Sequence, residues 1–327
     1  MAGAFAHMLL VDSLCKDSVL ASIDTLTPNM RRALSESINS CRLGSVSPDC
    51  PFMVFEDEDA KAWGNVMHYW KTAEFIRRAI RKATELDLGG IDGRRCFAWL
   101  CGYAAHVVTD LTIHPIVKAK VGPYADNATK HRECEMNQDV YIFYRERHEE
   151  LNKVDYLSAK SGGIASCHDP ADHQKLYPRI TMLWTYCLAH NLDREPLDRI
   201  DMGAGLNAPT ARPDPDKWFH RYVKLIEETA KVSGQLPYWG RHMGEEKALA
   251  YPCYSEIVPG FINGLNTPTG GVTDYDQVFA RAAANMKQAW KELGAAFNSR
   301  APLLFTLKDS DLDTGLEEPA QSIYWSN

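Results

Sequence analysis

The nine cysteines of this 327-residue chain form no CxxC pair. Their number is odd and their spacing scattered, so no disulfide framework is implied, and several lie in apolar helical pattern as core residues would. There is no uninterrupted run of about 18 apolar residues, and so no membrane span is expected. Basic residues are in deficit: 36 Lys and Arg stand against 43 Asp and Glu, a net charge of −7, with no basic tail. That balance argues against a nucleic-acid coat, and no nucleic-acid partner is expected. The opening stretch MAGAFAHMLLVDSLCKDS lacks a basic leader and carries His and Asp through its apolar part. The expectation is a cytoplasmic chain, or an effector exported without a leader. Neither GxSxG nor a P-loop occurs, which removes a serine-nucleophile elbow and a nucleotide cradle. Alternating strand pattern is missing as well.

What is present is helical spacing and enough apolar residue, 45% of the chain, to bury a substantial core. Helices are expected over 3–15, over 28–40 from a proline-tolerant first turn at Pro28, and over 59–86 as one continuous element. Between the last two, RLGSVSPDCPF reads as a loop. Asp92 is the expected cap of the next helix, which should bend or end at His114 before Pro115. Asp126 or Asn127 should open another helix running to about 154. After Leu157 the small-residue stretch SAKSGGIASCHDPADH marks the best internal boundary. Further helices are expected over 173–190, 214–233 and 274–298, the last capped by Thr273 or Asp274. The fold class is therefore all-α, a multi-helix bundle with a loop-rich helical C-terminal portion. Residues 1–157 form the helical core, and 158–327 pack on it as a lid or partner surface, or continue the same domain.

The chain is organised around Gly102–Asp139. His106, Asp110 and His114 are spaced by four, and so are His131, Glu135 and Asp139. A step of four on a helix drifts only ~40°, so each trio projects from one face. A Gly-Pro connection at Gly122-Pro123 joins the two. Charged and His residues at this spacing commonly form a solvated face. Here His106 and Asp110 sit inside FAWLCGYAA…VV…LTI, the most apolar run of the chain. Burying them without partners would cost several kcal/mol, which points to a metal. Imidazole and carboxylate together suit zinc, and a dense cluster can hold more than one ion. His7, Asp49 in the SPD turn, and His68 in NVMHYW are further candidates upstream.

Together these residues read H … PD … H … HxxxDxxxHP … HxxxExxxD. In that order the sequence resembles the zinc-dependent phospholipase C family, related in fold to single-strand-specific zinc nucleases. The matching residues are Ala6-His7, Gly44 to Asp49, His68-Tyr69, Gly102-Tyr103 through His106, Asp110, His114-Pro115, and His131 with Glu135. The resemblance spans residues 1 to about 150. It implies a helical multinuclear zinc centre, with two zinc ions expected and a third if His7 completes its site. Asp49, His68, His106 and Asp110 would hold one ion, and His114, His131 and Glu135 a second. His7, with Asp110 bridging, would contribute to a third. Asp139 matches the ligand set less closely, and orienting His131 or Glu135 is its alternative role. The secreted enzymes of the family begin with a tryptophan whose amine binds the third zinc, whereas this chain begins Met-Ala-Gly.

The implied activity is phosphodiester hydrolysis by a metal-activated water, with Asp49 as the proton acceptor. The implied substrate is a glycerophospholipid, cleaved to diacylglycerol and a phosphorylated head group. Two alternatives compete: a nuclease or other phosphodiesterase on the same scaffold, and a non-enzymatic binding protein that keeps the helical core. A lipid substrate would call for transient membrane-surface contact, for which the aromatics of WFHRY (218–222), LPYWG (236–240) and YPCYSEIVPGF (251–261) are candidates. Aromatics at such positions are more often core.

Overall fold

The structure is a computed structural model that describes residues 3–151, 163–192, 207–229, 251–299, 309–314, 316–317 and 324–325. It is all-α: α1 (Ala4–Leu14), α2 (Asp17–Ala21), α3 (Pro28–Glu36), α4 (Ile38–Val46), α5 (Glu58–Tyr69), α6 (Thr72–Ala83), α7 (Ile91–Val121), α8 (Tyr124–Arg147), α9 (Pro178–Leu192), α10 (Pro215–Thr229) and α11 (Tyr275–Ser299). The strands among the described residues are three short antiparallel pairs at the periphery of this helical body. The expected LPYWG stretch at 236–240 and the end of the expected helix beyond 229 lie outside the described residues. α8 stops at Arg147 rather than running to about 154, because His148 takes left-handed angles, φ 58°, and closes the helix by donating its N–H to the Tyr144 carbonyl. All nine thiols are free, eight of them buried.

The central element is α7. It is buried without interruption from Cys96 to Val117, and α4, α11, α3, α6 and α8 pack around it. A helix apolar on every side must be enclosed, because no face of it suits water. By length and composition α7 would suffice to cross a membrane, although His106, Asp110 and His114 interrupt its apolar run. Its most apolar 18 residues are wholly buried inside the protein, so it serves as the core helix. Glycines set its closest approach: a Cβ on Gly102 would lie 1.9 Å from the Cys41 carbonyl oxygen, and one on Gly44 would lie 2.0 Å from that of Trp99. Helices α4 and α7 therefore cross backbone against backbone.

Several local expectations yield to packing. α7 runs straight through Pro115 rather than ending at His114. Proline removes the donor that the Leu111 carbonyl would receive. The adjoining Thr112 is held from outside, its carbonyl by the Trp325 indole N–H at 2.8 Å and its hydroxyl by Asn285 at 3.1 Å. Asp92 does not cap α7. Gly90 occupies the cap position, and Asp92 accepts hydrogen bonds from Tyr177 and Arg179. The expected loop at 42–52 is the end of α4 followed by a fully buried 3-10 turn, Ser47–Met53. Trp99 on α7 pins that turn by donating to Ser47 Oγ at 2.9 Å. The expected continuous helix over 59–86 is two helices, broken at Lys71, whose φ of 49° is left-handed. The break is where the far end of the chain docks: Asp309 accepts from the N–H groups of Ala73 and Glu74, at 2.9 and 3.1 Å, and so caps α6. α3 does begin at Pro28, with Thr27 accepting from the Met30 N–H, and Asp274 caps α11 through the Gln277 N–H. Asn127 interrupts the start of α8 with non-helical angles, close to the expected start of that helix.

Candidate metal centre

Five elements converge on one buried cluster. α1 supplies His7, the 3-10 turn supplies Asp49, α5 supplies His68, and α7 supplies His106, Asp110 and His114. Glu135 enters from α8. All are buried. Asp110 is the hub: its Oδ1 lies 3.2 Å from His7 Nε2 and 3.4 Å from His114 Nε2, and its Oδ2 lies 3.2 Å from His106 Nε2. His68 Nε2 stands 3.2 Å from Asp49 Oδ1, and His114 Nε2 stands 4.0 Å from Glu135 Oε1. The rings of His7 and His106 stack with centroids 4.3 Å apart. Ligand atoms of His7, Asp49 and His106 lie within 4.8 Å of one another, as do those of His68, His106 and Asp110.

The backbone fixes which nitrogen faces inward. His68 Nδ1 is 2.8 Å from the Gly64 carbonyl, one turn back on its own helix. His106 Nδ1 is 2.9 Å from the Ser45 carbonyl on α4, and His114 Nδ1 bonds the Leu312 carbonyl. A carbonyl only accepts, so each Nδ1 carries the proton and each neutral ring turns the bare Nε2 lone pair inward. There it meets carboxylate oxygens, which are also lone pairs. Neither partner supplies a hydrogen: the Nε2 atoms of His68, His106 and His114 are buried and make no hydrogen bond, like Asp49 Oδ1. Both ring nitrogens of His7 are buried without a hydrogen bond as well, and no carbonyl fixes its tautomer. A cation between them resolves this opposition. Zinc bonds of ~2.0–2.1 Å at a tetrahedral angle place neighbouring ligand atoms about 3.3 Å apart, as the N···O separations here are. The donor set therefore fits zinc.

Electrostatics agree. Burial by itself would raise the Asp110 carboxyl, but His114, His106 and His7 outweigh it and hold that group well below the carboxylate range. Burial is likewise overcome at Asp49, which His106 and His68 keep lowered. Burial pushes His114 down to about 4 against the pull of Asp110, and burial with His106 lowers His7. At His106 burial is overcome by the pull of Asp110 and Asp49, which raises the ring, whereas neutral His7 and His114 beside ionised carboxylates are in the protonation states that metal ligands require.

Two sequence candidates stand apart from the hub. His131 is buried one turn from Glu135, and its Nε2 lies 2.7 Å from the Gly122 carbonyl, where Gly122 ends α7 with φ 93°. No ion pair or hydrogen bond joins it to the cluster among the described contacts. Asp139 faces the start of α1: it accepts from the N–H of Ala6 at 2.8 Å and of Phe5 at 3.3 Å, and from the Tyr251 hydroxyl at 2.9 Å. It thus fixes the helix that carries His7, in place of the expected contact with His131 or Glu135. The side chain at position 3 must be absent for this, since a Cβ on Gly3 would lie 2.0 Å from Asp139 Oδ2. The carbonyls of Gly64, Ser45, Gly122 and Leu312, and Tyr251, escape a reading of side-chain motifs. Of the candidate aromatics, Trp218, Phe219, Tyr222 and Tyr251 are buried in the core.

Burial raises the Asp139 carboxyl to about 7, partly offset by the hydrogen bonds from Ala6 and Tyr251. A carboxyl with a folded-state value above its unfolded one holds its proton longer in the folded state. Its contribution to stability is therefore largest at low pH and is lost as pH rises through about 7. Between about pH 5 and 8 the unfolding free energy should fall more steeply in the wild type than in Asp139→Asn. The difference in slope should accumulate to a few kcal/mol at most. Urea titrations of both proteins across that range measure it, and parallel pH profiles would contradict the assignment.

Residues 6–186, more than half of the chain and all nine candidate positions, match the family model for zinc dependent phospholipase C. No curated protein and no solved structure matches the chain.

Proposed function

This chain belongs to the zinc-dependent phospholipase C family, and from that premise we propose that it hydrolyses the phosphodiester of a glycerophospholipid to diacylglycerol and a phosphorylated head group. The observation that carries the reading is the set of inward, hydrogen-free Nε2 atoms facing carboxylate oxygens at 3.2–3.4 Å. In this reading Asp49, His68, His106 and Asp110 would hold one zinc ion, His114, Glu135 and His131 would hold a second, and His7 with Asp110 would contribute to a third.

When bound, zinc supplies Lewis acidity toward a phosphoryl oxygen and brings the pKa of a water near neutrality. The protein supplies the rest. Asp49 is the carboxylate with an edge toward solvent, its side chain 9% exposed where that of Asp110 is fully enclosed. Ionised at neutral pH, it takes the proton of the attacking water as the new O–P bond forms. The bond from phosphorus to the glyceryl oxygen breaks, and that oxygen leaves as the diacylglycerol hydroxyl after gaining a proton. His68, His106 and His114 keep their Nδ1 protons on backbone carbonyls throughout.

The test is hydrolysis of phosphatidylcholine and phosphatidylethanolamine in mixed micelles, followed by diacylglycerol and phosphorylated head group. Both products are expected with zinc, neither after chelation, and both again on zinc return. A single-stranded oligonucleotide run alongside separates the nuclease alternative. Cleavage of the oligonucleotide with lipid left intact would replace the lipase reading.

A further inference from the structure

Three of the histidines at the centre find their carbonyl acceptor inside the segment that matches the family: Gly64 for His68, Ser45 for His106 and Gly122 for His131. The fourth does not. His114 bonds the carbonyl of Leu312, well over a hundred residues beyond the end of that match. The same residue donates its N–H to the His68 carbonyl at 3.0 Å. Leu312 therefore bridges the backbone of one candidate ligand and the ring of another, and it is fully buried.

The residues around it are built to hold that position. Asp309 caps α6 through Ala73 and Glu74. Ser310 exchanges hydrogen bonds with Thr72, its N–H donating at 3.1 Å and its carbonyl accepting at 3.2 Å. Asp311 accepts from the N–H groups of Asp313 and Thr314, closing the turn, and Tyr69, next to His68, donates to the Asp313 carboxylate. The clasp occupies the gap between α5 and α6 that the left-handed Lys71 opens.

We propose that residues 309–314 are a working part of the metal centre: they position His114, through the Leu312 carbonyl, for the metal that His114 and Glu135 share. Outer-shell acceptors of this kind fix the tautomer and aim of a ligating imidazole, and losing one typically weakens metal binding about 10–100-fold. Without Leu312 the His114 ring is free to rotate or to move its proton to Nε2, and either change withdraws the lone pair from the site. The inference rests on the zinc reading of the centre.

The experiment is a chelator titration of the full-length protein, reading zinc retained per chain and the visible absorption of the cobalt-substituted form. Asp309→Ala combined with Leu312→Ala removes the cap and the buried anchor. It should lose one metal equivalent 10–100-fold more readily than wild type, with the remaining metal and its cobalt band unchanged. Asp309→Asn combined with Leu312→Met keeps an acceptor oxygen and the apolar volume, and should restore wild-type retention. Gly294→Ala, whose added Cβ meets Thr25 and Leu26 rather than any histidine, controls for general destabilisation and should release no equivalent selectively. Wild-type retention in the double alanine variant, or an equal loosening of every equivalent, overturns the inference while leaving the zinc reading intact. A wild-type chain that takes up no metal overturns both.

Discussion

Asp110→Asn is expected to lower lipid hydrolysis by at least about a thousand-fold, and the zinc content of the purified chain should fall with it. The size follows from position. Among the described contacts Asp110 alone pairs with the Nε2 atoms of all three of His7, His106 and His114. It is placed to serve more than one ion. A bound zinc contributes several kcal/mol to charge stabilisation in phosphoryl transfer, and each 1.36 kcal/mol is a factor of ten in rate. The same substitution should leave the metal-free protein folded, and no less stable than metal-free wild type. An amide NH2 donates where the carboxylate only accepts, so it relieves the opposition of lone pairs that metal otherwise neutralises. Elemental analysis, turnover and a urea midpoint on the chelated proteins measure the three effects. Full activity with full zinc content would remove the centre of the functional argument. His106→Ala and Glu135→Ala should also abolish activity, but each leaves a cavity or an uncompensated neighbour, so stability falls with function. Asp110→Asn separates the two.

Much of this centre was legible because its residues are chemically out of place. His106, Asp110 and His114 stand in an apolar helix, and no ordinary packing argument puts them there. Asp139 was harder. The spacing of four continues past Glu135, but Asp139 lies opposite the start of α1, where it accepts from the N–H groups of Phe5 and Ala6. The spacing on α8 says nothing of which distant segment packs there. Backbone partners were not legible at all. The carbonyls of Ser45, Gly64 and Leu312 decide which nitrogen each histidine presents, and a carbonyl has no signature in the sequence. Local rules failed where distant segments overrode them. Pro115 does not end α7, and the turn before it is held from outside by Trp325 and Asn285 on Thr112. Lys71 breaks a helix that periodicity joins, because Asp309 caps its second half. In each case the deciding residue lies at least 165 positions downstream in sequence.

The second large effect is expected at Gly102. In Gly102→Ala the new methyl group would sit 1.9 Å from the Cys41 carbonyl oxygen and 2.9 Å from the Ser45 nitrogen. Both are backbone atoms within a helix, so no side chain can swing aside to make room. The reciprocal substitution, Gly44→Ala, meets the Trp99 carbonyl at 2.0 Å and the Tyr103 nitrogen at 2.9 Å. Helices α4 and α7 must then move apart by more than an ångström. Overpacking of a well-filled core costs about 1–3 kcal/mol, and a backbone clash on this scale belongs at or above the upper end. A urea midpoint should register it, while Gly260→Ala, whose Cβ meets only the Lys120 amine at 3.6 Å, should stay within about 0.5 kcal/mol of wild type. The consequence for the centre is specific. Ser45 lies beside Gly44 on this seam, and its carbonyl holds the His106 ring at 2.9 Å. Parting the helices frees that ring, so the metal that His106 would coordinate should be released about 10–100-fold more readily. The metal proposed for His114 and Glu135 would keep its own anchor at Leu312 and should be retained better. Loss in the opposite order would mean that the seam and the clasp do not serve separate ligands.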